Sequence, residues 1–537
     1  MHMEKFLIFN TLSYPVLSVI MLVPLVGALI SLLIRNELRL KIFALVVTLA
    51  TFVLSLPLWT CFDPGTAKFQ FAELRPWFPL LKLNYVVGVD GISVLLVLLT
   101  TFIMPFCVGC SWRYISKRLN EFVFVLLIME TAMIGVFISL NTVLFYIFWE
   151  AMLIPMFLLI AVWGGARKDY ASIKFFLYTL CGSIFLLVAI VALFIKTGTF
   201  FIPALMEHEY SFAYQMWIFL ACALAFAIKI PMYPFHTWLP AAHVEAPTPG
   251  SVILASILLK MGGYGFLRFC LPMAPAATIY CMPYLIALSL ISIIFGGYLA
   301  LGQTDIKKLI AYSSVGHMGF VTLGIFLLND QGLKGSILQM INHGITTGAL
   351  FIMVGMIYER THSREIKDNS ALGMLMPIYV TFLGIFSLSS LAFPGTNSFV
   401  GEFLVLLGAF KKSAVVGFIA IPGAILAAAY MLRLLQKMVW DKSDGHAHHD
   451  HGDEAHGHHL SDLNLREIVM VTVLAVGVFW IGLHPEPILK IMDTSVSHLV
   501  HQINAGGAAV HPAAPHHGGH HEALLEFGRW CKQVMTF

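Results

Sequence analysis

Long apolar runs follow one another from Val16 to Leu483, and they decide what this chain can become. Each is roughly 17–25 residues, enough for a helix to cross a hydrocarbon core ~30 Å thick. Lipid leaves no partner for a bare backbone N–H or C=O, so the runs have to be helices. About fourteen are expected, beginning with Val16–Ile34, Ile42–Leu58 and Ile92–Cys110, and ending with Val415–Leu435 and Ile468–Leu483. The reading is therefore an all-α polytopic membrane protein, with 59% apolar and only 11% charged residues. A net charge of +3 is too small to suggest nucleic acid as a partner. The first apolar run continues as a spanning segment with no small-residue cleavage site, so no signal peptide is expected.

Two of the runs are broken by proline. Ala213–Tyr233 meets Pro231 and Pro234 and resumes through His236 and His243; the twelfth, starting near Leu372, breaks at Pro394-Gly395 and resumes as Ser398–Phe410. The breaks lie five spans apart, each with a charged residue nearby, which suggests two inverted five-helix repeats. The division expected is an N-terminal part (1–120) carrying a surface hairpin in 61–90, a first repeat (121–270) and a second repeat (278–440). A His-rich loop (441–465) and a final helix with an amphipathic tail (466–537) complete it. Basic residues cluster in alternate loops (Arg35/Arg39/Lys41, Arg113/Lys117/Arg118, Arg167/Lys168, Lys307/Lys308, Arg360/Arg364/Lys367), which would make that face cytoplasmic and put both termini on the other.

Ionisable side chains inside the spans are the functional signal. Glu130, Glu150, Lys229, Lys260, His317, His343 and Glu402 all fall at membrane depth, and His236 sits at the first break. A single charge there costs at least ~2.5–3.5 kcal/mol at a helix centre, so several together mark a proton or cation path. Glu150 and Lys229 have opposite charge and would stabilise each other in low dielectric; parting them would let a proton leave. Histidine titrates near neutrality, which suits His317 and His343 to pass protons between stronger sites. Lone histidines on apolar helices are more often satisfied core residues, so it is the set that carries the argument. GGYG at 262–265 reads as close helix packing. No phosphate-binding glycine loop, dinucleotide fingerprint or nucleophile elbow occurs. The eight cysteines lie mostly in apolar segments and behave as small hydrophobes. Seven histidines between Asp441 and Asp462, and five more in HPAAPHHGGHH ahead of the segment Glu522–Val534, could bind zinc or nickel; the blander reading is solvated loop, and no metal site is assigned.

FWEAMLIPMFLLI around Glu150, KIPMYPFHTWLPAAHVEAPTPGSVILA, LLKMGGYGFLR, DIKKLIAYSSVGHMGF and INHGITTGALF together resemble the antiporter-like subunits of proton-pumping NADH:quinone oxidoreductase, respiratory complex I. The resemblance implies fourteen helices in inverted repeats, a Glu150/Lys229 pair, a central relay at Lys260 and an output station on broken helix twelve. Glutamate at that station, Glu402 in FVGEFL, is similar to the middle antiporter-like subunit, whereas relatives usually carry lysine. It implies, too, that NADH, FMN, iron–sulfur clusters and quinone sit on partner subunits, and that this chain binds no cofactor. Its neighbours would be other membrane subunits, antiporter-like ones included, in an energy-transducing membrane, the bacterial inner membrane above all. A cation/proton antiporter subunit and a membrane scaffold with a metal-binding loop are the alternative readings.

Overall fold

The computed structural model describes residues 5–78, 83–441 and 460–510; of 507–510 only the backbone is considered. Both histidine tracts and the segment Glu522–Val534 lie essentially outside the described residues. Among the described residues twelve helices are long and apolar enough to cross a membrane: α2 (Glu37–Thr60), α3 (Ser93–Ser111), α4 (Leu119–Ile138), α5 (Thr142–Trp163), α6 (Lys168–Thr197), α7a (Phe212–Lys229), α8 (Thr248–Met273), α9 (Pro275–Leu301), α10 (Ile306–Phe326), α11 (Asp330–Thr361), α13 (Ala414–Trp440) and α14 (Leu465–Leu483). The shorter α1 (Val16–Ser31) and a broken helix, α12a (Pro377–Ser390) with α12b (Asn397–Lys412), stand beside them, so fourteen holds as an approximate count. Burial varies along this series with position. The hydropathic windows of α8 and α11 are wholly buried within the protein, while those of α2 and α13 are a third buried and present the rest outward.

Proline places the breaks. Helix α7a stops at Lys229, and after Pro231 and Pro234 the chain re-forms α7b (Trp238–Glu245). The Trp238 indole N–H donates to the Ile228 carbonyl at 2.8 Å, satisfying one backbone group that the break frees. At its far end α7b offers bare carbonyls to cations: Lys307 donates to Ala246 O and Arg364 to Val244 O, both at 2.5 Å. The second break, between Ser390 and Asn397, is closed by α11. Asn342 donates to the Asn397 carbonyl at 2.7 Å, and Thr346 and Ser389 bond the Asn397 side chain. The expected start of helix twelve near Leu372 is corrected here. Leu372–Leu375 is a separate turn, and the chain bends by 113° before the span proper begins at Pro377. Proline denies the α conformation to the residue before it, and Met376 is accordingly extended in φ at −138°.

The expected hairpin is present as β2 (Phe69–Phe78) and β3 (Leu83–Val89), antiparallel with Leu74 opposite Val86. An unexpected strand, β1 (Leu7–Phe9), pairs parallel with β2. A further helix missing from the sequence reading, α15 (Glu486–Val510), runs over the hairpin side. Its Ser495 accepts from Gly91 N at 3.0 Å, Thr494 donates to Pro64 O at 2.5 Å, Gln502 donates to Met206 O at 3.1 Å, and Asp493 pairs with Lys334. All of these partners lie at the ends of spans opposite to the basic loops. Below them Arg268 of α8 reaches Asp90, 2.7 Å away, with both side chains buried. Burial alone would raise the Asp90 carboxyl, but the guanidinium beside it holds it below the usual carboxylate range.

Candidate functional site

The centre of the site is made by an irregularity in α8. Residues Leu254–Leu258 form a π-helical turn just ahead of Lys260. A π turn shifts the backbone bonding by one residue, so a carbonyl escapes the usual ladder. Here the Lys260 ammonium donates to the Ala255 carbonyl and, at 2.6 Å, to His343 Nδ1 on α11. Lys260 is wholly buried. Its neighbourhood is kept tight by glycine: a Cβ on Gly262 would come within 2.8 Å of Ile230 N and Phe226 O, at the α7 break, as the GGYG reading expects.

From His343 the polar groups continue toward α12. The imidazoles of His343 and His317 have centroids 5.7 Å apart. On its far side His317 Nδ1 lies 2.9 Å from Glu402 Oε1, and Gln339 donates to the same oxygen at 3.0 Å. Four residues from four helices, α8, α11, α10 and α12b, thus form one buried row: Lys260, His343, His317, Glu402. Its protonation pattern follows from donor counting. A lysine ammonium can only donate, so His343 Nδ1 accepts and the ring hydrogen is on Nε2, which has no other partner among the described residues. A carboxylate only accepts, so His317 carries its hydrogen on Nδ1 and leaves Nε2 open. Successive rings each hold a hydrogen on the side from which it can leave. That is an arrangement for moving protons.

The other expected residues stand apart from this row. Lys229 is buried with its ammonium 4.7 Å from the centre of the Trp149 ring. No ion pair within 4.0 Å joins it to Glu150, although the carboxylate is near enough to act on it through space. Opposite charge one turn from a break brings the two into the same region; it does not set their side chains in contact. Pro155 interrupts α5 after Ala151, since it cannot donate to that carbonyl, and Glu150 sits beside the interruption with one oxygen unpartnered. Glu130 on α4 is fully buried and neither of its oxygens finds a partner among the described residues. His236 packs against the rings of Tyr233 and Phe295, each 5.7 Å away, and lies outside the hydrogen-bonded row. Among the described residues no group of three or more His, Cys, Asp or Glu could hold a metal. Cys107 and Cys110 are buried free thiols.

Three partners of the row were not singled out from the sequence. Gln339, Ser390 and Tyr430 are ordinary residue types in apolar or mildly polar surroundings, and nothing in their spacing announces them. His243, on the half-helix after the first break, stacks on Phe351 at 4.6 Å, and among the described residues neither ring nitrogen has a partner.

A polytopic bundle with two broken helices and a buried row of titratable groups is an antiporter-like membrane protein. This chain belongs to the NADH:quinone oxidoreductase/Mrp antiporter transmembrane family, whose model matches residues 139–427. Over 493 residues it is 45% identical to NADH-ubiquinone oxidoreductase chain 4 of Marchantia polymorpha, covering 91% of this chain and 97% of that one. Over 508 residues it is 43% identical to NADH-quinone oxidoreductase subunit M of Rhodobacter capsulatus, with coverage of 91% and 97%. A chain in the structure of respiratory complex I from Thermus thermophilus with bound NADH superposes with a TM-score of 0.82 at 29% identity, covering 91% of this chain and 99% of that chain.

Proposed function

We propose that this chain is a proton-translocating membrane subunit of respiratory NADH:quinone oxidoreductase, of the chain 4 or subunit M kind. The observation that carries the reading is the row Lys260–His343–His317–Glu402, buried, hydrogen-bonded at both ends and with the two rings 5.7 Å apart in the middle. A proton released by Lys260 enters His343 at Nδ1 and leaves from Nε2; His317 takes it at Nε2 and passes its Nδ1 hydrogen to Glu402. Each station gives up one proton as it accepts another, so no uncompensated charge is left in the low-dielectric interior. Lys229, with Glu150 acting on it from a distance, sits at the first break and supplies the field that sets when Lys260 lets go.

NADH oxidation, FMN, iron–sulfur chemistry and quinone reduction belong to partner subunits in this reading, and the coupling reaches this chain through neighbouring membrane subunits. The basic loops lie toward the cytoplasm of a bacterial inner membrane, with the hairpin, α15 and both termini on the opposite side. The two breaks, five spans apart, support an inverted repeat covering 121–270 and 278–440. The test is NADH-driven proton uptake into inverted membrane vesicles, with assembly of the complex checked in parallel. Glu402→Ala should lose most of the uptake and Glu402→Asp should keep a substantial part. Exchange of sodium for protons without NADH, in vesicles where Glu402→Ala leaves NADH-driven uptake untouched, would favour the cation/proton antiporter instead.

A further inference from the structure

The output end of the row holds a phenol as well as the carboxylate. Tyr430 of α13 is buried, and its hydroxyl lies 3.3 Å from His317 Nε2. Ser390, the last residue of α12a, places its hydroxyl 3.3 Å from the same nitrogen. The other nitrogen, Nδ1, is occupied by Glu402 at 2.9 Å. An arriving proton therefore has one place to land on this ring, and two hydroxyls already stand there. A hydroxyl is both donor and acceptor, and it turns to suit either role. Neutral His317 takes a hydrogen bond at Nε2 from a hydroxyl; charged His317 returns one to the same oxygen.

We propose that Tyr430, with Ser390 beside it, delivers the proton to His317 Nε2. This rests on the reading of the row as a proton path. In the step, the Tyr430 O–H bond breaks as the N–H bond forms at Nε2. The phenol oxygen takes up a proton that comes through water from His343 Nε2–H, so the tyrosine starts and finishes neutral. His317, now an imidazolium, gives its Nδ1 hydrogen to Glu402 Oε1. The products are a neutral glutamic acid and a neutral histidine in the opposite tautomer. Loss of the Glu402 proton to water, and return of the His317 hydrogen from Nε2 to Nδ1 through water, restore the start. Ser390 ends the half-helix before the break, so the charge on His317 is felt directly where α12 is discontinuous.

The experiment is NADH-driven proton uptake by assembled complex in inverted vesicles, measured against pH and in H2O and D2O. Tyr430→Phe removes one oxygen and should slow uptake about tenfold or more. The pH profile should move to the acid side, because the charged ring loses more than the neutral one when the hydroxyl is gone. The deuterium effect should rise as this transfer becomes limiting. Ser390→Ala should show the same changes more weakly, and Ser390→Thr, which keeps a hydroxyl, should behave as wild type. If the Tyr430→Phe complex fails to assemble, the Ser390→Ala and Ser390→Thr pair carries the same test. An assembled Tyr430→Phe/Ser390→Ala double variant with normal rate and profile would overturn the proposal, as would a slower rate with neither profile nor isotope effect changed. Neither result touches the broader reading, which Glu402→Ala decides separately.

Discussion

One lysine and one carboxylate dictate the tautomers of the two histidines between them, and a proton path read at the scale of residues consists of little else. Because Lys260 can only donate and Glu402 can only accept, His343 and His317 are aligned in the same sense. Removing either histidine takes one of two partners from a buried end group, leaving Lys260 with the Ala255 carbonyl or Glu402 with Gln339. His343→Ala should therefore cut proton uptake by at least about tenfold while the complex still assembles. Uptake at the wild-type rate in that variant would mean that protons bypass α11. Glu150 acts differently. It makes no close contact with Lys229, so Glu150→Gln changes the field at Lys229 and leaves packing intact. Most pumping should be lost with no change in thermal stability, and an unaltered rate in the assembled variant would remove Glu150 from the mechanism. The members of the row could be found in the sequence because charge stands out in an apolar run. Their hydroxyl and amide partners could not: serine, tyrosine and glutamine cost little in a helix bundle and occur for many reasons.

The spacing between α8 and α11 controls how close Lys260 comes to His343. Gly344 follows the histidine directly, and a Cβ there would meet the Ser256 carbonyl at 3.0 Å and a Leu99 methyl at 2.8 Å. Ser256 also donates to the Gly344 carbonyl at 2.7 Å, stitching the π turn to α11. Gly344→Ala should push the helices apart, costing about 1–3 kcal/mol and reducing uptake more than assembly. A second clamp, Asp90–Arg268, holds the hairpin side to α8. Asp90→Asn keeps an acceptor oxygen for the Ser93 amide but removes the counter-charge of the buried guanidinium, and should lower the stability of the complex by ~3–5 kcal/mol. The folded carboxyl titrates below its unfolded value, so this contribution is fully present above the unfolded value, near ~3.9, and disappears only as pH falls through the folded one. Thermal unfolding of the wild type should accordingly show no loss from this pair between about pH 8 and 5. A melting temperature that fell steadily over that window in wild type but not in Asp90→Asn would contradict the assignment. At this scale the sequence is informative about proline and silent about other irregularities. Pro231, Pro234 and Pro394 announce their breaks, whereas the π turn of Leu254–Leu258 leaves the apolar pattern unchanged. α15 escaped notice because it is no continuous apolar run: Ile488, Met492, Val496, Leu499 and Ile503 recur three or four residues apart among polar ones, a pattern that a reading for membrane spans passes over.

For the whole molecule, the apolar runs made the class of fold legible from end to end, since the bilayer allows few solutions. The sequence could not say which buried charges share a row, because four separate helices bring them together. The composition of the tract His446–His459 cannot supply a packed core. Deleting it should leave NADH-driven uptake within error of wild type, with or without added zinc. A loss of activity that follows bound zinc would give the tract a role of its own. If the buried row through Lys260 conducts protons moved by redox chemistry elsewhere, its lysine is the residue to change. Lys260→Met keeps the length of the side chain and removes its charge. Proton uptake and quinone reduction should be recorded together in coupled vesicles containing the assembled complex. Protons taken up per NADH oxidised should fall, with turnover slowed at least about tenfold. An assembled Lys260→Met complex that pumps at the wild-type rate with the wild-type ratio would contradict conduction through the row.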